Sequence, residues 1–514
     1  MPRTGAAPGG DGPSWLRVRQ IGVEILYPGA MRGLVLAVAA SLACTSNAAK
    51  KPPVDQFPPG AQGAVLQHHG DAVRSGIYVD AALTRAAVRN LRQDAAFSAT
   101  YQGPVYAQPL YWDAGTGGQD LLLVFTERNE VIAFDPLTGA RIWSRTLAQP
   151  ASLAELPCGN IDPLGITGTP IIDPARKLLF VDAMITGPRH RIFTLSLADG
   201  SVSGTPVDLD TAVSGFSSAV QNQRGALALM NGILYVPFSG HFGDCGNYAG
   251  WVVGIDTTGA RPPGAYHTGK GGGMWSVSGV AALGGSLFVS TGNTIGLTTW
   301  NGGEAILRLA PRPSFSGNSA DYYAPTDWKS LDDADADIGT SGSFPFDVAG
   351  SHFVATMGKN GLLYLANRDN LGGIGGNAIT PQVGDFIVTA PAVIPTPSGT
   401  ILAFTSQGTN CTGANGLVAL RIGAGPPPTA PTAWCAGVNG SGSPIASTTG
   451  GGAEAVIWVV GAEGDGQLHA VNAETGEVLF AGGQVAMRKF NAPIAAKGRI
   501  YAAGDSAVAA FTVR

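Results

Sequence analysis

Charge is scarce in this chain, with Asp, Glu, Lys and Arg making up only 13% of its 514 residues, and aromatic residues are few at 8%. No long stretch repeats apolar residues with a 3.6-residue period, which excludes a helical bundle or coiled coil as the main architecture. The formal net charge of −5 is spread without basic clusters. Nucleic acid is therefore excluded as a partner, because binding it needs a cationic footprint. No Gly-x-Ser-x-Gly elbow is present, so serine-based acyl transfer has no support. Apart from His68-His69, the histidines lack metal-ligand spacing. Cysteine occurs only five times.

Glycine, at 74, and proline, at 35, are abundant instead. They punctuate short apolar runs. The stretch from Tyr106 to Trp143 shows the pattern: Leu110-Tyr111, Leu121 to Phe125, Val131 to Phe134 and Ile142-Trp143, separated by turn residues. Runs of this length and composition predict an antiparallel four-stranded meander. One such meander leaves both faces apolar and needs neighbours stacked on it. The pattern recurs in units that begin near Gly168, Gly225, Trp275, Ser343, Ala390, Gly442 and Ala492. The last unit ends after three strands, at Ala507 to Phe511, while Ala95 to Tyr101 is an extended run left over before the first. The fold expected is all-β: an eight-bladed β-propeller of four-stranded antiparallel blades, closed by an N-terminal strand that completes the last blade.

Ahead of the repeats, Met31-Arg32 and Gly33 to Ala40 read as a short signal peptide. Ser41-Leu42-Ala43-Cys44 resembles a bacterial lipobox, which makes Cys44 a lipidation site and the lipid the chain's only membrane contact. The domain plan is then an upstream segment 1–30 from a misassigned start, a signal peptide 31–44, a Pro- and Gly-rich tether 45–64 and one propeller domain 65–514. With Cys44 assigned to an anchor, Cys158, Cys245, Cys411 and Cys435 remain, an even number suited to disulfides in an oxidising compartment. Cys411 with Cys435 and Cys158 with Cys245 are the preferred pairs of the three possible connectivities. The expected location is the periplasm, or the outer membrane as a lipoprotein, or secretion.

The run Val131 to Trp143, with Asp135, Thr138-Gly139 and Trp143, resembles the repeat of PQQ-like (pyrroloquinoline-quinone-type) β-propellers, and Leu468 to Leu479 matches it again. That resemblance implies the eight-bladed ring. It leaves function open, because such propellers include quinoprotein dehydrogenases and non-catalytic envelope scaffolds. Further stretches are similar to the cofactor site of quinoprotein alcohol dehydrogenases, in the same order. The likeness implies calcium ligands at Asp244 and Asn293, a quinone floor at Trp275 in Gly272-Gly273-Met274-Trp275, a catalytic base at Asp335 or Asp337, and a cation on the quinone carbonyl at Lys359. The adjacent cysteines of those enzymes and a Cys-x-x-Cys-His haem site are absent, and Asp244 is one methylene shorter than their glutamate.

Three smaller signals have plain readings. Asp333 to Asp337 fails as an EF-hand and reads as a solvated acidic turn. His68-His69-Gly70-Asp71 with Arg74 reads as a lead-in packed on the ring, and Arg189-His190-Arg191 as a solvated turn. Two functions remain. One is an envelope scaffold that binds protein partners through a propeller face or its loops and needs no cofactor. The alternative is a periplasmic oxidoreductase acting on an alcohol or sugar with PQQ and calcium.

Overall fold

The computed structural model describes residues 63–408, 411 and 416–513. The segment 1–30, the signal peptide with Cys44 and most of the tether lie outside these residues. Within them the chain forms eight antiparallel sheets. Blade 1 comprises Leu110–Trp112, Leu121–Phe125, Glu130–Phe134 and Arg141–Thr146, paired in sequence order. Blades 2 to 7 repeat that order, beginning at Ile171, Ala228, Ala281, Phe344, Ala392 and Ile445. Blade 8 supplies Ile494–Ala496, Arg499–Ala503 and Ala507–Thr512 from the chain's last residues. Two short strands from the other end of the domain, Arg92–Gln93 and Ala99–Thr100, both pair antiparallel with Ala507–Thr512. Ala99–Thr100 falls within the expected run Ala95 to Tyr101, whereas Arg92–Gln93 precedes it, before a turn at Asp94, whose carboxylate accepts from Ala96 N at 3.1 Å.

The turn chemistry explains the repeat. Asp135 accepts from Leu137 N, Thr138 N and Thr138 Oγ1 at 3.0, 2.8 and 2.9 Å, which fixes the bend between the third and fourth strands. Gly139 follows with φ 76°, a conformation that other residues adopt at a cost. The tryptophan then ties one blade to the next: Trp143 Nε1 donates to Leu197 O at 3.1 Å, over the turn at Gly200 of blade 2. Trp434 does the same to Ala473 O at 2.8 Å, against Gly476 of blade 7. Apolar clusters fill the space between blades; one joins Ile401 and Ala403 of blade 6 to Ile457 and Val459 of blade 7.

The segment from Val65 to Asp80 does more than pack on the ring. It runs along the inner edges of the blades. Val65 exchanges backbone hydrogen bonds with Tyr111 of blade 1 at 2.8 and 2.9 Å, and Leu66 O accepts from Ile172 of blade 2 at 2.8 Å. Ala72 O accepts from Ala282 of blade 4, Ser75 O from Val393 of blade 6 and Gly76 O from Ala446 of blade 7, at 2.8, 2.8 and 2.7 Å. Ile77–Val79 then adds a parallel strand to Ile445–Thr448. The segment carries buried polar groups, among them His68 and His69 stacked at 4.3 Å. Arg74 is its anchor. This arginine is 1% exposed and donates to Val280 O, Leu227 O and His68 O at 2.7, 2.8 and 3.1 Å. A one-turn helix follows at Arg85–Val88, capped by Thr84.

Arg189-His190-Arg191 is not a solvated turn. It opens the strand Arg189–Ser196, whose alternation puts His190 inside, 2.7 Å from Asp182.

Replacing Arg74 with Met leaves those carbonyls without donors in a buried place. The expected loss of stability is about 3–5 kcal/mol, read as a lower denaturant midpoint at unchanged slope. A loss below about 1 kcal/mol would show that the inner segment does not brace the ring.

Candidate functional site

In an antiparallel blade the loop entering the first strand and the loop joining the second to the third lie at the same end, because the first two strands run in opposite directions. All six residues singled out by the dehydrogenase resemblance sit in loops of these two kinds. Asp244 follows Ile233–Phe238 of blade 3, Asn293 follows Ser286–Thr291 of blade 4, and Lys359 follows Ser351–Met357 of blade 5. Trp275 precedes Ala281–Leu283 of blade 4, and Asp335 and Asp337 precede Phe344–Val348 of blade 5. The six line one cavity of about 470 Å³, within the range of small-molecule sites.

Lys359 is the centre of its electrostatics. Its Nζ lies 2.6 Å from Asp337 Oδ2 and 2.7 Å from Asp335 Oδ1. It also stands 5.5 Å over the Trp275 ring. Burial pulls the ammonium's pKa down, but Asp337 and Asp335 outweigh it and hold the pKa above its usual value. Asp337 is 2% exposed, and burial raises its pKa against the pull of Lys359. The backbone locks it in place: Asn293 N donates to Oδ1 at 2.8 Å and Lys359 N to its carbonyl at 3.0 Å. Gly292 allows that approach, since a Cβ there would lie 2.2 Å from Asp337 Oδ1. Asp335 caps the helix Trp328–Ala334 in a left-handed conformation, φ 51°, and its side chain faces solvent.

The acidic stretch is thus a solvated turn only in part, exposed from Asp333 to Asp335 and buried at Asp337. Asp332 is also buried and accepts from Thr294 N and Oγ1 at 2.9 and 2.7 Å. Behind Asp337 lies Glu304, buried, with Oε2 accepting from Ile338 N at 2.8 Å and Oε1 without a partner. Burial, then the charge of Asp337, pushes its pKa well above the ordinary carboxyl value.

Asp244 sits at φ 52° and accepts from Tyr248 OH at 2.6 Å. The next residue, Cys245, is disulfide-bonded to Cys158, with Cα atoms 6.2 Å apart. Gly243 lies against that bond, as a Cβ on it would be 3.3 Å from Cys158 Sγ. The disulfide therefore borders the cavity although the two cysteines are far apart in sequence. Cys411 and Cys435 are bonded as well, Cα atoms 6.3 Å apart, in blade 6. The cavity is completed by residues that the sequence reading missed: Arg224 from the loop entering blade 3, Phe386 from blade 6, and Lys489 and Phe490 from blade 8. Trp275 and Phe386 pack on Val277, Val388, Ala390 and Phe490 to form its apolar wall.

Glu304 gives the site a pH signature. Its folded pKa is raised, so it favours the folded state at low pH, and that contribution is lost as pH rises through the folded value. Glu304→Gln keeps the acceptor for Ile338 N. It should raise stability at pH 8 more than at pH 5, by about 1–2 kcal/mol, read from the denaturant midpoint at unchanged slope. An equal change at both pH values would place the proton elsewhere.

No protein-family model matches the chain, and no curated protein sequence matches it. Solved structures do. A quinohemoprotein alcohol dehydrogenase from Comamonas testosteroni superimposes with a TM-score of 0.61 at 15% identity, over 88% of this chain and 81% of that one. A second, from Pseudomonas putida HK5, gives 0.63 at 15% identity over 88% and 80%. A europium-containing methanol dehydrogenase gives 0.58 at 14% identity over 87% and 91%. Identity at this level speaks for the fold alone. The chain is therefore an eight-bladed β-propeller, the fold it shares with these dehydrogenases.

Proposed function

We propose that the chain is an extracytoplasmic oxidoreductase of the quinoprotein kind, acting on an alcohol or sugar in the cavity around Lys359. The observation that carries this reading is convergence. Residues from three blades, spread from Asp244 to Lys359, meet at one cavity, with a buried carboxylate clamped to a half-buried cation. The two disulfides favour an oxidising compartment. The scaffold reading draws on the breadth of the loop faces and on no particular residue.

The lining fits a planar, anionic quinone. Trp275, Phe386 and Phe490 offer aromatic surface, and Arg224, Lys359 and Lys489 offer positive charge. The fit to calcium is poorer. Asp244 and Asn293 supply oxygens, but Asp337 is already held by Lys359 and Asn293 N. Among the described residues no three His, Cys, Asp or Glu side chains gather as a metal site, whereas calcium takes six to eight oxygens. A quinone, when bound, supplies the two-electron acceptor. The chain's own part is acid–base and positional. Asp337, buried and raised in pKa, takes the hydroxyl proton of the substrate, and Lys359 holds the charge that develops beside it. Asp335, exposed on the solvent side of Lys359, orients the ammonium.

The test is to add pyrroloquinoline quinone to the purified chain, with and without calcium, and to follow the bound quinone spectrum and dye-linked oxidation of alcohols and sugars. Binding and turnover are expected. Asp337→Asn should keep the spectrum and lower turnover by about 10²–10⁴-fold. Neither spectrum nor turnover in either arm would sink the oxidoreductase reading.

A further inference from the structure

We infer that Arg224 is the anion-recognition residue of this cavity, placed to receive a carboxylate of the bound ligand between the faces of Trp275 and Phe490. The inference rests on the reading of the cavity as a ligand site and adds the ligand's charge and the group that reads it. The guanidinium carbon lies 4.7 Å from the Trp275 ring centre and 4.9 Å from that of Phe490. Its Nε donates to Trp275 O at 2.9 Å. Two aromatic faces and one hydrogen bond therefore fix the plane of the fork. Among the described residues its two terminal nitrogens have no protein acceptor, and no carboxylate stands within ion-pair distance of it.

Two other cations of the chain, buried Arg74 and half-buried Lys359, show how unusual that is for the half-buried Arg224. Arg74 spends its terminal nitrogens on Val280 O, Leu227 O and His68 O. Lys359 has two carboxylates to itself. Arg224 has neither kind of compensation, and burial lowers its pKa to about 10. Lys489, on the same cavity, also lacks an ion-pair partner among the described residues, and its Nζ stands 5.5 Å over Phe490. A desolvated guanidinium with a free, planar pair of donors matches a carboxylate in bidentate fashion. The aromatic faces that hold it add a stacking surface for a ring that carries the carboxylate. Two ligands share this chemistry, a carboxylated quinone cofactor and an organic acid substrate.

The experiment compares naphthoate with its neutral carboxamide, which have the same shape, by titration calorimetry and tryptophan fluorescence on the wild-type chain. Naphthoate is expected to bind about tenfold tighter or more. Arg224→Gln should erase that preference, and Arg224→Lys should keep part of it. Equal affinity of the two probes in the wild type overturns the inference even if Arg224→Gln fails to fold, and so does an unchanged preference in the folded Gln variant. Pyrroloquinoline quinone assigns the source. If it displaces naphthoate and binds Arg224→Gln about tenfold more weakly, the carboxylate is the cofactor's. If both bind together and only naphthoate needs Arg224, the carboxylate is the substrate's. Quinone turnover with no naphthoate preference and no effect of Arg224→Gln on quinone binding would remove the anion site and leave the oxidoreductase. An Arg224-dependent naphthoate preference without quinone binding or turnover would do the reverse.

Discussion

A four-stranded blade has two apolar faces and no core of its own, so each blade is stable only between two others. That constraint organises everything else. It requires a closed ring, and closure here joins the last strand, Ala507–Thr512, to strands more than four hundred residues earlier in the chain. It also needs a fixed spacing between neighbours. The Asx turn at Asp135 with Gly139, and its counterpart around Asn472 with Gly476, set where each tryptophan can reach the following blade. The inner segment from Val65 to Asp80 fastens the ring from within, touching the inner strands or loops of seven blades.

The same geometry explains the position of the site. Radial packing gives the inner strands little room, and it brings the loops at one end of the blades together around the axis. Residues distant in sequence meet there without any local motif joining them. The cost of that convergence is close approach. Gly292 against Asp337 and Gly272 against Thr268 are places where a side chain would collide, at 2.2 and 2.6 Å from the nearest atom. Glycine in these loops is a condition of the cavity rather than looseness in it.

How much of this could be read in the sequence follows from the same distinction. Blade number was legible because turn chemistry is local: Asp, Thr-Gly and Trp fall at fixed spacing within one run, and period-2 apolar runs mark the strands. Trp275, Asn293 and Lys359 were placed in loops of recognisable grammar for a related reason, since a glycine lies within two residues of each. Arg224, Phe386 and the pair Lys489-Phe490 were not, because they come from three separate loops, entering blades 3, 6 and 8, and only the closed ring makes them neighbours. The acidic run before blade 5 misled for another reason. Alternating acids suggest solvent, but a short helix turns Asp332 inward and the following loop buries Asp337, while Asp333 and Asp335 stay outside. Composition alone could not separate these four. His190 was hidden likewise, its two flanking arginines exposing the strand edge while the pleat carried the imidazole to Asp182.

Trp275 is the point at which architecture and chemistry join. Its carbonyl holds Arg224 and its ring faces both Arg224 and Lys359. One of these cations is answered within the protein by two carboxylates, and the other is answered by none among the described residues. The neutralised cation stands beside a buried acid whose proton affinity is raised, which is the arrangement acid–base chemistry needs. The uncompensated one is held rigidly by aromatic faces, which is the arrangement recognition needs, because little ordering remains to oppose binding. A single indole, placed by the glycines before it, thus stands against both the clamped Lys359 and the guanidinium of Arg224. A ligand that satisfies both must be long enough to present a hydroxyl or carbonyl at Asp337 and a negative charge at Arg224.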